Sequence, residues 1–407
     1  MTRTYIPRSL EPVLEKALHE FPAVVLIGPR QSGKTTLLKH LYGSQFPLVS
    51  LEPPDVRAAA SADPRGFLAL YPPPVIFDEI QYAPGLLPYI KERVDADRER
   101  PGQFILTGSQ NLLLMQQVTE SLAGRSAVLK LLPMTQREIQ RNPHKLLPWE
   151  AGSVVSIREM PPHEDLWPGI LRGAYPELVS SPERDARMWQ ASYVQTYLER
   201  DVRNLRDIGD LTLFQTYLRA LASRSAQLLN LSELARDVGV SVSTAKDWLS
   251  ILEASFQVFL LRPYFVNVGK RLVKSPKLYF MDTGVLCYLV GLQEPHHAAA
   301  GPMGGAIFEN LVAAELYKTL LHRGQEPMIY FWRTASGSEV DLLLESQGQL
   351  IPLEVKLSAT PRLEMARGII SFQKDFGRKA GPGYVVHPGT TLLPLGDGTI
   401  ALPFSRF

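Results

Sequence analysis

The chain has 407 residues, 21% charged and 45% hydrophobic, ordinary globular usage that excludes wholesale disorder and a fibrous protein. At roughly 100–200 residues per domain, this length predicts two to four domains and rules out a single isolated module. Lysine and arginine number 43 against 41 aspartate and glutamate, a net charge of +2, so affinity for nucleic acid or membrane has to come from a local patch.

One cysteine, Cys287, excludes an internal disulfide and a cysteine-built zinc or iron–sulfur centre, and points to a reducing, cytoplasmic setting. The first apolar run, Ala23 to Ile27, is too short for a signal core and no later run approaches membrane-span length, so no membrane is expected as a partner. That run is instead what a parallel strand buried on both faces requires, and a predicted helix from Thr35 to Tyr42 follows it. Between them Gly28-Pro29-Arg30-Gln31-Ser32-Gly33-Lys34-Thr35 matches G-x-x-x-x-G-K-[ST] without deviation. Its glycines let backbone N–H groups converge on phosphates at the helix N-terminus, Lys34 brings a point charge to the β/γ oxygens, and the Thr35 hydroxyl is placed to ligate magnesium.

Val75-Ile76-Phe77 is a second buried strand, ending in Asp78-Glu79. Asp78 is predicted to hold magnesium through water, and Glu79 to orient and deprotonate the attacking water. Leu86 to Arg98 has helix-forming composition, and Phe104 to Leu106 is a third strand ending in Thr107-Gly108-Ser109. Two readings stand there: Thr107 or Ser109 senses the γ-phosphate, or the tripeptide only turns the chain.

These residues resemble AAA-type ATPases, in particular a large prokaryotic group that joins such an ATPase to a poorly characterised C-terminal region. The resemblance runs through Gly28 to Leu37, including Thr36, and through Asp78-Glu79-Ile80-Gln81, Leu106 to Gln110, Leu122-Ala123-Gly124-Arg125 and Tyr197 to Val202. It covers most of the chain and implies an α/β parallel sheet with flanking helices, ATP with Mg2+, and a homo-oligomer. Arg125 matches by position the arginine that reaches a neighbour's γ-phosphate in that group; a surface arginine without catalytic role is the competing reading.

From 151 to 228 the β pattern fades, and Arg184 to Leu205 and Leu211 to Leu229 carry helical spacing, which predicts a helical connector. Leu231 to Leu249 reads as helix, Gly239 turn and helix, with Ser232 and Ser241 or Ser243 as N-caps. Gln257 to Phe265 and Lys277 to Phe280 read as two flanking strands, hence a winged helix over 229–290. The tract from Arg262 to Lys277 holds Arg262, Lys270, Arg271, Lys274 and Lys277 and no acid, beside Tyr264 and Phe265. Such a wing suits DNA phosphates; a lid or protein-docking surface is the alternative.

Leu292 to Gly305 has linker composition, and a helix from Ala306 to Leu320 and a hairpin follow within 303–407. The hairpin joins Val340–Leu344 to Ile351–Leu357 through Gln347-Gly348-Gln349, and period-2 alternation puts Glu354 and Lys356 on one face. Asp341 can reach the same point, giving two carboxylates for Mg2+ or Mn2+ and a lysine for the attacking hydroxide. This is similar to the PD-(D/E)XK nuclease superfamily, which implies a further acid on a preceding helix. Glu309 matches by position and Glu315 is the fallback, whereas Val340 departs from the superfamily's proline. A cross-strand Asp/Glu–Lys surface network is the competing reading. The eight histidines form no H-x-x-x-H spacing, and no Gly-x-Ser-x-Gly is present.

The expected organisation is an AAA-type ATPase domain over 1–150, the connector, the winged helix and a small α/β nuclease-like domain. Two functions compete: an ATPase that moves or remodels DNA which the C-terminal site cuts, or an ATP-gated docking switch whose nuclease-like fold cuts nothing.

Overall fold

The structure is a computed structural model describing residues 4–109, 121–150, 166–198, 210–264, 275–334, 337–396 and 398–407. Its first sheet comprises β1 (Ala23–Ile27), β2 (Leu48–Ser50), β3 (Val75–Asp78), β4 (Phe104–Gly108) and β5 (Ser126–Lys130). All pairings are parallel, in the order β2-β3-β4-β1-β5. The three strands legible as unbroken apolar runs are the central ones, buried along their whole length, because helices cover both faces. β2 and β5 lie at the edges, where short, partly exposed strands of mixed composition suffice. The chain is therefore α/β with a five-stranded parallel sheet of P-loop type.

In the connector the described residues form helices Leu166–Arg172, Pro176–Val179, Ala186–Tyr193 and Leu211–Ala222. The second predicted helix ends at Ala222, seven residues before Leu229, and residues 199–205 of the first lie outside the described residues. Helices Leu231–Val238 and Val242–Ala254 follow, and Gly239 at φ +80° makes the turn, a left-handed position that glycine occupies without strain. Asn230, not Ser232, caps the first of them, because its side chain reaches the Glu233 N–H; Ser241 caps the second. Trp248 packs edge-on against Phe214 and Tyr217, and the Tyr217 hydroxyl donates to the Ala245 carbonyl at 2.8 Å, locking the pair to the connector.

The second sheet joins β6 (Val258–Pro263), β7 (Lys277–Phe280), β8 (Ile329–Arg333), β9 (Glu339–Ser346), β10 (Gln349–Val355), β11 (Gly383–His387), β12 (Leu393–Pro394) and β13 (Thr399–Pro403). Its order is β12-β13-β11-β10-β9-β8-β6-β7. The hairpin β6–β7, expected to form a free wing, is thus sewn into the C-terminal sheet through the parallel pairs Arg262/Tyr330 and Pro263/Phe331. Gln347 and Gly348, both at positive φ, make the two-residue turn between β9 and β10. The expected linker is folded: Pro295–Ala300 is a helix with proline in its first turn, where no N–H is needed.

Between the sheets runs the 19-residue helix Gly304–His322, which packs on β5 of the first and on β7 and β10 of the second. Buried on nearly every side, it has no polar stripe, and one continuous apolar core extends from Val25 and Phe77 past Phe308 to Leu353 and Phe404. No helix among the described residues is long and apolar enough to cross a membrane.

Candidate nucleotide site and C-terminal carboxylate cluster

The loop between β1 and helix Lys34–Tyr42 is shaped by two glycines. A Cβ on Gly28 would stand 2.0 Å from the Leu131 carbonyl oxygen, and Gly33 sits at φ +95°. The helix has no side-chain N-cap, so its first N–H groups face the loop. Lys34, 5% exposed, donates to the Gly28 and Pro29 carbonyls at 2.9 and 3.0 Å. The buried Ser32 hydroxyl has no partner among the described residues. Gly28→Ala is expected to push the loop off its seat, at a cost of about 1–3 kcal/mol, and to weaken ATP binding in a fluorescent-nucleotide titration.

Strands β3 and β4 bring the predicted acids and hydroxyls to this loop. Thr35 Oγ1 donates to Asp78 at 3.0 Å, and Thr107 makes a short hydrogen bond to the same carboxylate. The Glu79 N–H donates to Thr107 Oγ1 at 3.1 Å, and the Glu79 carboxylate accepts from Ser109 Oγ at 3.1 Å and from the Gln81 side-chain amide. Glu79 stands at φ +60°, a costly conformation for a residue with a Cβ, held by Thr107 and Ser109 at the end of β4 and by Gln81 in the turn Ile80–Tyr82. Gln81 was legible only as part of Asp-Glu-Ile-Gln; its hold on Glu79 needs that turn. The donor set fits a magnesium ion: Thr35 and Asp78 would hold it, with Thr107 orienting Asp78.

Around the loop lies a cleft of about 620 Å3, a size typical of small-molecule sites. One wall is Lys34, Thr35, Thr36 and Glu79; the other is Pro176, Glu177 and Ser180 from the connector, with Tyr5 and Arg8 between. Tyr5 stacks on His40 with ring centroids 3.7 Å apart. Gln31 lines the cleft as well, and Arg30 Nη2 donates to the Tyr82 hydroxyl at 3.2 Å. Arg125 lies away from this cleft, paired with Asp95 of its own chain on a solvent-accessible surface. Gln110 and residues 199–202 of the resemblance lie outside the described residues.

Sequence reasoning missed a buried polar chain that ties the loop to the long helix. Arg8 donates to the Ser32 carbonyl at 2.9 Å and the Leu132 carbonyl at 2.7 Å, and pairs with Glu138 at 3.3 Å. Glu138 also accepts from the Ser9 and Thr135 N–H groups and faces His322 Nδ1 at 3.1 Å. His322 Nε2 accepts from the Leu132 N–H at 3.0 Å, which fixes the neutral tautomer with its proton on Nδ1. Burial drives the Glu138 carboxyl up, but Arg8, His322 and the Thr135 N–H outweigh it and hold it well below the usual range. Burial lowers His322 against the pull of Glu138. Glu315, the fallback ligand, belongs to this interface: it accepts from the Gln136 N–H at 2.9 Å and lies 4.0 Å from Arg137.

The C-terminal residues do converge. Lys356 Nζ lies 2.6 Å from Glu354 and 3.8 Å from Asp341, and Asp341 Oδ2 accepts from the Val355 N–H at 2.9 Å. Glu309 arrives from the long helix and accepts from the Tyr279 hydroxyl at 2.6 Å. Lys277, expected on an exposed basic surface, is instead buried here, 2.7 Å from Glu339, 3.2 Å from Glu309 and 3.6 Å from Asp341. It starts β7, which the sheet carries into the cluster. Burial would lower its ammonium, yet the three carboxylates raise it. Burial, with the Asp341 charge adding, pushes Glu309 up to about 7 and Glu354 up to about 8.

This donor set does not fit the metal expected between Asp341 and Glu354. Among the described residues no group of three or more His, Cys, Asp and Glu side chains is arranged to hold a metal ion, and an ammonium stands amid the acids. Of the remaining basic tract, Arg262 is exposed, while Lys270, Arg271, Lys274 and Phe265 lie outside the described residues.

The family model for the AAA domain matches residues 20–140. Two models described as domains of unknown function, DUF8612 and DUF4143, match residues 163–296 and 304–407. The Walker-type ATPase PABY2304 of Pyrococcus abyssi superposes with a TM-score of 0.43 at 16% identity, covering 70% of this chain and 96% of that one. A point variant of RuvB from Thermotoga maritima gives 0.28 at 20% identity, covering 62% and 88%. The uncharacterized proteins Rv2008c of Mycobacterium tuberculosis and Mb2031c of Mycobacterium bovis are each 32% identical over 392 residues, which is 96% of this chain and 82% of theirs. With an AAA domain followed by two domains of unknown function, the chain belongs to the family of these two mycobacterial proteins.

Proposed function

We propose that the protein is a magnesium-dependent ATPase acting as an ATP-gated switch, whose nucleotide state reaches a non-cleaving, nuclease-like C-terminal domain through the helix Gly304–His322. The observation that carries the ATPase reading is the convergence of Lys34, Thr35, Asp78, Thr107, Glu79 and Ser109 at one cleft. When bound, magnesium neutralises charge on the β/γ oxygens. The loop N–H groups and Lys34 bind and orient the phosphates, and Thr35 and Asp78 are the ligand side chains. Glu79, steadied by Ser109 and Gln81, takes the proton of the attacking water; Thr107 holds Asp78 and the Glu79 backbone in register. The switch reading draws support from Arg8, Glu138 and His322, whose buried contacts run unbroken from the loop to the helix.

Within this reading residues 1–150 form the ATPase domain, 151–228 the connector, 229–290 the winged helix and 303–407 the nuclease-like domain, with β6–β7 shared between the last two. Phosphate release is expected to require Mg2+ and to fall at least about 100-fold in Asp78→Asn. Equal turnover with a chelator, or in the variant, would overturn the assignment.

A DNA partner is the second reading, favoured by the exposed face Val242, Ser243, Lys246 and Ser250 on the second helix of the helix-turn-helix. Neutralising Lys270, Arg271 and Lys274 together is then expected to weaken duplex binding and to lower the salt slope by about one unit per residue that touches phosphate. Unchanged binding removes DNA from the account. In a homo-oligomer Arg125 would leave Asp95 to act in trans, and mixing Arg125→Ala with Lys34→Ala chains should restore part of the turnover. Turnover per chain that stays constant as the oligomer is diluted to monomer would exclude this.

A further inference from the structure

The nuclease resemblance implies a divalent ion at Asp341 and Glu354, whereas Asp341 stands between two ammonium groups: Lys356, which also reaches Glu354, and Lys277, which also reaches Glu309 and Glu339. We propose that the Lys277 ammonium is the resident cation of the C-terminal cluster, so that the wild-type site takes no divalent metal, and that removing Lys277 converts the same carboxylates into a divalent-cation site. This rests on the non-cleaving part of the proposed function and is independent of ATP hydrolysis.

Three observations carry the inference. An ammonium has three N–H donors and no acceptor, and Lys277 Nζ stands 2.7, 3.2 and 3.6 Å from oxygens of Glu339, Glu309 and Asp341, a central position among the acids of β9 and the long helix. Its side chain is 5% exposed, its strand is hydrogen-bonded to β6, and β6 is tied to β8, so the cation is built in and not a visitor from solvent. Charge points the same way: Glu309, Glu339, Asp341 and Glu354 face Lys277, Lys356 and, at Glu339, Arg333, so three cations already stand against the four carboxylates. A divalent ion needs oxygen ligands at about 2.0–2.6 Å, closer than carboxylates held apart by an ammonium allow.

The residue also links two parts of the chain, since it enters from the hairpin that follows the helix-turn-helix while its partners belong to the long helix and β9. Movement of that hairpin would change the charge of the cluster directly.

The test uses the full, nucleotide-free chain and Mn2+ as the probe, followed by electron paramagnetic resonance and by melting temperature. Wild type is expected to show no Mn2+ site that Asp341→Asn removes. Lys277→Met is expected to gain one such site, binding at least about tenfold tighter than any in wild type, with a melting temperature that rises on Mn2+ addition. Because Lys277→Met leaves buried acids unmatched, Lys277→Met with Glu339→Gln provides a second variant that keeps Glu309, Asp341 and Glu354 while removing one negative charge. It is expected to respond to Mn2+ in the same way. A wild-type Mn2+ site lost in Asp341→Asn overturns the proposal, as do folded Lys277 variants that gain no site. The same measurements in a Lys34→Ala background should be unchanged, which separates failure here from failure of the ATPase reading.

Discussion

Lys34→Ala is expected to lose ATP binding by about 100-fold or more, and Glu79→Gln to keep it while turnover falls by about 10²–10⁴-fold. In the proposed roles the two variants differ because the two side chains meet ATP at different stages. Lys34 already points into the loop, resting on the Gly28 and Pro29 carbonyls, and its charge contributes to ground-state binding as well as to the transition state. The Glu79 carboxylate is held beside Ser109 and Gln81, so an amide of the same shape keeps the place and, in the proposed role, loses only the base. Thr107→Val supplies the intermediate case. It removes the bridge between Asp78 and the Glu79 backbone and should lower kcat about tenfold with a smaller change in KM. Titration with a fluorescent nucleotide and single-turnover phosphate release separate these effects. Wild-type turnover in Glu79→Gln would remove Glu79 as the base.

The phosphate loop was legible because one contiguous octapeptide, Gly28 to Thr35, carries both the backbone geometry and the chemistry. Asp78 and Glu79 were legible because they end an unbroken apolar run, and Thr107 and Ser109 because they end another. Lys277 was misread for a physical reason. Its neighbours in sequence are basic, but its neighbours in space are set by the pairing of β6 with β8, a strand more than 60 residues further on. Arg8 precedes the first element with any pattern, and His322 ends a helix whose burial on all sides erases the periodicity that marks a functional face. Both meet Glu138, which sequence shows only as the last residue of a capping box, Thr135 to Glu138. Local motifs expose chemistry built within one segment; chemistry built between segments depends on contacts that no spacing rule encodes.

Glu138→Ala tests the largest such contact. Four partners converge on this fully buried carboxylate, and its loss leaves the Arg8 guanidinium buried without its counter-charge. Breaking a buried pair in this way costs about 3–5 kcal/mol, and the melting temperature should fall on the order of 10 °C. The same network sets a pH dependence. His322, facing Glu138, Arg8 and Lys318, is held below its ordinary value of 6.5, so as pH falls the unfolded chain takes up the proton first and the folded state loses stability. Glu138, held below 4.5, adds a second loss at lower pH as its folded carboxyl is finally protonated. The contribution of this network is therefore expected to be full above about pH 6.5 and to decline below it, while Glu309 and Glu354, pushed up to about 7 and about 8, act in the opposite direction as pH rises. His387, also lowered by burial, acts in the same direction as His322, so the diagnostic quantity is the difference between wild type and His322→Gln. Glutamine keeps an acceptor for the Leu132 N–H and a donor for Glu138 but does not titrate, and its melting temperature between pH 7 and 5 should fall less steeply. Since Arg8 also holds the Ser32 carbonyl, Glu138→Ala should weaken ATP binding although no atom of Glu138 lines the cleft. Unchanged ATP affinity in a folded Glu138→Ala chain would mean that the loop keeps its shape without the long helix, and the switch would then have to run through the connector wall at Pro176 and Glu177.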